Sequence, residues 1–231
     1  MSVDRGDLFL AIFAAIGILI AQAILVAPVD AQNEGMGVLA PPTSARPPEP
    51  PSPPKPQQPA PAESADATDR ELRELNEAIR RDASNGNTFF KRGNVYAQRG
   101  DYPNAIADFS EAIRFAPADA DAWNNRCWAR AVTDQLELAL ADCNQSLELR
   151  HDNVDALDSR GLVHLKLGQL DQAIADYDAV LRLRPQHAAS LYGRGLARLK
   201  QGNPAAGSAD VAAAKALMPG IEQEFARYGV K

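Results

Sequence analysis

Residues 86–119, GNTFFKRGNVYAQRGDYPNAIADFSEAIRFAPAD, return in altered form as residues 120–153, 154–187 and 188–221, with no gap in register. Arg92, Arg126, Arg160 and Arg194 stand 34 residues apart, and so do Asp108, Asp142, Asp176 and Asp210. That period belongs to a helical hairpin too small to bury its own apolar face, which must stack on its neighbours as an all-α solenoid. Numbered within each copy, position 4 is large (Phe89, Trp123, Leu157, Leu191) and suits the space between helices. Position 20 stays small (Ala105, Ala139, Ala173, Gly207), so two backbones can approach there. Position 32 is Pro117, His151, Pro185 and Pro219, and proline ends the second helix because it lacks an N–H and clashes one turn back. Gly100, Gly168 and Gly202 at position 15 supply the left-handed residue that closes the first helix, whereas the second copy has Asp134.

The array continues half a unit past each end. Glu74, Leu75, Ala78 and Ile79 match positions 23, 24, 27 and 28 one period upstream, so residues 69–81 read as a lone second helix. Phe225 and Gly229 match positions 4 and 8 one period downstream, so residues 220–230 read as a lone first helix. Ten helices follow, with the repeat domain spanning residues 69–231.

Residues 8–29 carry no charge, and as a helix they would span roughly 30 Å, the thickness of a bilayer core. Residues 1–31 therefore form either a signal peptide, with Val29 and Ala31 as the small residues before a cut, or an uncleaved membrane anchor. Arg5 ahead of the run, with only Asp30 and Glu34 soon after it, favours a cytoplasmic amino end and an exported repeat domain. Eleven of 17 prolines fall between Pro41 and Pro61. The stretch 32–68 is thus expected to be a disordered linker that cannot offset its ordering entropy. It would serve as a tether from the membrane or as a leader behind a cleaved signal.

From residue 69 onward 21 Lys and Arg stand against 23 Asp and Glu, interspersed, with no basic stripe. The electrostatic term that dominates nucleic-acid binding is missing. His151, His164 and His187 occupy three different positions of the unit, and no spacing matches a metal, cofactor or nucleophile motif. The chain is therefore expected to be neither an enzyme nor a cofactor or metal binder. The recurring Arg and Asp point to stacking, the task every unit shares. Each guanidinium is expected to meet a position-23 carboxylate of its own or the preceding unit, with Glu74 filling that place in the leading half-unit. Cys127 and Cys143, at positions 8 and 24, stand at one height in a hairpin whose turn centres near position 16. The other copies set glycine there against Phe109, Tyr177 or Val211. Two middling side chains sharing that gap fit a disulfide, with a pair of buried thiols as the alternative.

Large at 4, Gly at 8, Tyr at 11, Ala at 20, aromatic at 24, Ala at 27 and Pro at 32 resembles the tetratricopeptide repeat (TPR) family, most closely in Phe89, Gly93, Tyr96, Ala105, Phe109, Ala112 and Pro117. The other copies depart with Arg130, His164 and Arg198 at position 11. The Ala-Ile-Ala-Asp style of the second helices is similar to that of bacterial envelope TPR proteins. The resemblance implies a solenoid whose first helices line a concave groove. Its candidates for gripping a partner are Asn87, Phe90, Asn94, Asn124, Asn125, Trp128, Asp155, Asp158, Leu162, Tyr192, Leu196 and Lys200. Asn94 and Asn125 match the family's clamp for a terminal carboxylate, whereas Phe90, Asp155 and Ser159 stand where its cations would be. Amides and aromatics suit an extended peptide, with Asp155 and Asp158 placed for a basic residue. The implied function is a non-catalytic adaptor of the bacterial envelope, periplasmic, secreted or anchored in the inner membrane, that holds a protein or peptide partner. A scaffold that self-associates through its ends or convex face is the alternative.

Overall fold

Every hairpin begins with a side chain that accepts a backbone N–H. Asn85, Asp119, Asn153 and His187 share one place in the period, and each caps a first helix: Thr88 N donates to Asn85, Ala122 N to Asp119, Ala156 N to Asn153 and Ser190 N to His187. His187 thus takes a capping role that its residue type concealed, since an imidazole nitrogen can accept where a carboxamide usually does. The computed structural model describes residues 61–230, whose helices are α1 (Pro61–Arg81), α2 (Gly86–Gln98), α3 (Tyr102–Phe115), α4 (Ala120–Val132), α5 (Leu136–Leu149), α6 (Val154–Lys166), α7 (Leu170–Leu183), α8 (Ala188–Lys200), α9 (Pro204–Leu217) and α10 (Ile221–Arg227). The expected leader and most of the expected linker lie outside the described residues. Among those described, no helix is long and apolar enough to cross a membrane.

First helices close on Gly100, Gly168 and Gly202, with φ of 75°, 74° and 80°. Asp134 adopts the same hand, φ 60°, which costs a non-glycine residue about 1 kcal/mol. Its carboxylate is held by Lys166 Nζ at 2.8 Å, and that ammonium also donates to Ala131 O at the end of α4 and to Tyr228 O, 2.7 Å each. A buried lysine with three acceptors replaces what glycine supplies elsewhere.

Close approach within a hairpin is set by the glycine-against-large pairing. A Cβ on Gly93 would lie 2.8 Å from Phe109, one on Gly161 2.7 Å from Tyr177, and one on Gly195 2.8 Å from Val211. In the second unit Cys127 and Cys143 fill that gap as a disulfide, Cα atoms 5.3 Å apart. Leu157 and Leu191 at position 4 are buried between units; Trp123 is half-buried and donates its indole N–H to Pro117 O at 2.8 Å.

The arginine column forms a ladder. Arg92, Arg126, Arg160 and Arg194 each make a bidentate pair with the position-23 aspartate of their own unit, at 2.7–2.9 Å. The remaining Nη1 crosses to the preceding unit, but not to a position-23 carboxylate. It reaches Asn76, Ser110, Asn144 and Asp178, two residues further on, at 2.6–2.9 Å. Glu74 therefore has no part in the ladder as expected; Asn76 does its job, one helical face over. The departures at position 11 have a reason too. Arg130 and Arg198 donate to Asp142 and Asp210 at 2.6 and 2.8 Å, and His164 lies 3.7 Å from Asp176, so the position-23 carboxylate is shared.

Both ends differ from expectation. α1 starts at Pro61 rather than at residue 69, because proline costs nothing at a helix's first position; Ile79 covers the first unit's exposed face. At the other end α10 stops at Arg227. Gly229 does not pack at position 8 but takes φ 77° and ends the helix, with Val230 N bonded back to Phe225 O at 3.0 Å. The chain end consequently turns into the concave face, where Tyr228 O meets Lys166.

Candidate functional site

The first helices α2, α4 and α6 converge on a cleft of about 480 Å³. Six of the expected groove residues line it: Asn94, Asn124, Asn125, Trp128, Asp155 and Asp158. Ala97, Gln98, Ser159 and the edge of Phe109 complete the wall. Ala97 and Gln98 belong to a first helix, α2, although they were not among the expected groove residues; Phe109 comes from a second helix, α3.

The floor is a chain of amides. Asn125 Nδ2 donates to Asn94 Oδ1 at 2.7 Å, and Asn124 Nδ2 to Asn125 Oδ1 at 3.4 Å. Asn124 is only 7% exposed, and its Oδ1 has no partner among the described residues. An unpaired buried acceptor costs about 1–3 kcal/mol, so this oxygen is primed for an incoming N–H. Trp128 stands beside it, half-buried, edge-on to Tyr102 at 5.6 Å and to Tyr228 at 5.8 Å.

Asp155 is exposed, with Arg184 at 3.5 Å, a surface pair of little energetic consequence. Asp158 is deeper. It accepts from the Ser190 hydroxyl and lies 3.6 Å from His187 Nδ1. Burial pushes its carboxyl above the usual carboxylate value, and Asp155 and Glu224 push the same way against Ser190 and His187. This Ser-His-Asp cluster is not arranged for nucleophilic attack. Ser190 is fully buried and its hydroxyl donates to Asp158; His187 Nδ1, 2.8 Å from the same oxygen, already accepts from Ser190 N in capping α8, and so the imidazole is not set as a base for that hydroxyl.

The other expected groove residues are elsewhere. Phe90 leans on Phe109 at 6.0 Å, Leu196 packs against the core, and Asn87 and Lys200 face solvent outside the cleft. Tyr192 is not open as an anchor, because Phe225 of α10 covers it, ring centroids 4.8 Å apart. Leu162 lines a smaller inner cavity with Trp128 and Asp158, closed on one side by α10. Among the described residues no group of side chains is placed to hold a metal.

A family model described as TPR repeat matches residues 93–126 and 161–202. Among curated protein sequences none matches the chain. Solved structures that share its fold include the following three. MamA from Desulfovibrio magneticus RS-1 is 18% identical with a TM-score of 0.58, over 71% of this chain and 90% of that one. YrrB, described as a TPR protein with an unusual peptide-binding site, is 24% identical with a TM-score of 0.56, over 68% and 81%. The first TPR of Spaghetti (RPAP3), bound to the HSP90 peptide SRMEEVD, is 24% identical with a TM-score of 0.50, over 52% and 96%. At these identities the likeness is one of fold.

Proposed function

We propose, from the premise that this chain is a TPR repeat protein, that it is a non-catalytic adaptor whose concave cleft holds an extended peptide segment of a partner protein. The observation that carries this reading is the amide floor with its unsatisfied Asn124 Oδ1 beside the half-buried Trp128. A peptide backbone offers the N–H that oxygen lacks, and an indole face offers a side-chain anchor. YrrB and Spaghetti, described with a peptide-binding site and a bound peptide, lend support by likeness of fold.

The test is selection of linear peptides displayed against the immobilised full chain, followed by titration. Asn124→Leu and Trp128→Ala should each weaken the selected peptide at least tenfold, as loss of a buried anchor does (~2 kcal/mol). Unchanged affinity in both variants would place binding elsewhere. We further assign the repeat domain to the bacterial envelope, exported by residues 1–31 and spaced by residues 32–60. The apolar run 8–29 and a disulfide, which persists in oxidising compartments, support this. Mass analysis of the mature amino terminus in fractionated cells tests it.

One observation favours self-association as a second reading. Leu149, Leu183 and Leu217 repeat at one position of three successive units and are 40–54% exposed. If this stripe pairs copies, Leu149→Gln with Leu183→Gln lowers the sedimentation coefficient and leaves peptide affinity intact.

A further inference from the structure

Beyond Trp128 the cleft opens into the inner cavity of about 200 Å³, which shares Trp128, Asp158 and Ser159 with it. Its far wall is α10, which supplies Glu224 and Phe225, with Tyr228 just past its end. The floor is Tyr177, and how that ring arrives there is unusual for the array. It threads between glycines of two units: a Cβ on Gly161 would lie 2.7 Å from the ring, and one on Gly193 2.5 Å from the hydroxyl. Phe109 fills the same place in the first unit against Gly93 and needs no hydroxyl to do so. Tyr177 is one of the residues lining the cavity, and its hydroxyl is buried with no hydrogen-bond partner among the described residues. Packing alone would be better served by phenylalanine, because a desolvated hydroxyl without a partner destabilises the fold.

The carboxylates around it pose the same problem. Asp158 and Glu224 face this cavity, and His187 is the one basic side chain among its lining residues. Lys166, close by, is already committed to Asp134, Ala131 O and Tyr228 O. The entrance is aromatic, between Trp128 and Tyr228. A narrow apolar throat leading to two carboxylates and a free phenolic oxygen is matched by an aliphatic stem with a cation at its tip.

We infer that the inner cavity is a specificity subsite for one long basic side chain, lysine or arginine, of the peptide in the cleft. The cation lies between Asp158 and Glu224, with the Tyr177 hydroxyl as a further acceptor. This rests on the reading of the cleft as a peptide groove. It makes α10 part of the recognition site as well as an end cap. The raised Asp158 carboxyl agrees with it, since a partly buried acid lacking a full counter-charge is what an incoming cation relieves.

The experiment uses the full chain, immobilised, and pools of acetylated, amidated nonapeptides, randomised except for a central lysine, arginine, norleucine or glutamate. Lysine or arginine pools should be retained at least tenfold over norleucine. Asp158→Asn with Glu224→Gln should abolish that preference, and Glu224→Gln alone, outside the cleft, should lower it with norleucine retention unchanged; the new amide oxygens can still accept from Ser190 and Tyr228, so the fold is kept. Tyr177→Phe should lower basic-pool retention about fivefold while raising the melting temperature. Equal retention of all pools overturns the subsite and leaves the groove standing. Retention of none overturns both. A preference that survives Asp158→Asn and Glu224→Gln also overturns it.

Discussion

Removing the bridge between Cys127 and Cys143 is the perturbation whose magnitude the structure fixes best. The bond spans a sequence separation of 16 residues, and in the chain-entropy relation such a loop is worth about 10 cal/mol/K, or about 3 kcal/mol at 25 °C. For a repeat domain of this size that is roughly 6–12 °C in melting temperature. Both sulfurs are fully buried, so reductant must be added to the unfolded chain and the protein refolded with it present. Urea unfolding followed by far-ultraviolet circular dichroism then compares the two forms. A second comparison separates cross-linking from packing. Cys127→Gly with Cys143→Phe copies the Gly93 and Phe109 pair of the first unit, which fills the gap without a bond. That variant should unfold at one midpoint whether or not reductant is present. Non-reducing mass analysis showing two free thiols, or a parent midpoint unmoved by reduction, would refute the reasoning.

Gly161→Ala should destabilise by about 1–3 kcal/mol, since its methyl lands 2.7 Å from the Tyr177 ring with the chain packed on both sides; thermal unfolding reads it. Asp142→Ala leaves Arg126 and Arg130, 12% and 16% exposed, without their carboxylate, and should cost about 3–5 kcal/mol in chemical unfolding. Asp158 should make stability fall as pH rises. Burial, aided by Asp155 and Glu224 and opposed by Ser190 and His187, raises its carboxyl in the folded chain above 3.8. Its contribution is therefore present below that value and lost as pH climbs through the raised one. Asp158→Asn should melt higher than the parent at neutral pH, with the difference vanishing below pH 3.8.

The sequence carried the hairpins because each unit repeats the same physical requirements. Helices α2, α4, α6 and α8 start at the first residue of each copy, and the Gly93, Gly161 and Cys127 pairings followed from size complementarity alone. The inter-unit half of the ladder was hidden because its acceptors, Asn76, Ser110, Asn144 and Asp178, share a position but not a residue type. Within the groove, the amides and Trp128 were legible from their places on the first helices. The fate of Tyr192 was not, because it depends on where the chain end goes. Gly229 satisfies two roles on paper, a position-8 contact and a helix stop, and only the packing of Phe225, Tyr228 and Val230 decides between them. Tyr177 was read as bulk filling a gap; its hydroxyl gains meaning only once Gly193 brings it to the concave side.

The cleft itself is tested most directly through its own fluorophore. The chain has two tryptophans, and Trp123→Phe keeps an aromatic at position 4, as Phe89 does, leaving Trp128 to report alone. Titration with a display-selected peptide should change Trp128 emission saturably, along the same isotherm that calorimetry gives for binding. Complete calorimetric binding with Trp128 emission unmoved would contradict a peptide lying in the concave cleft.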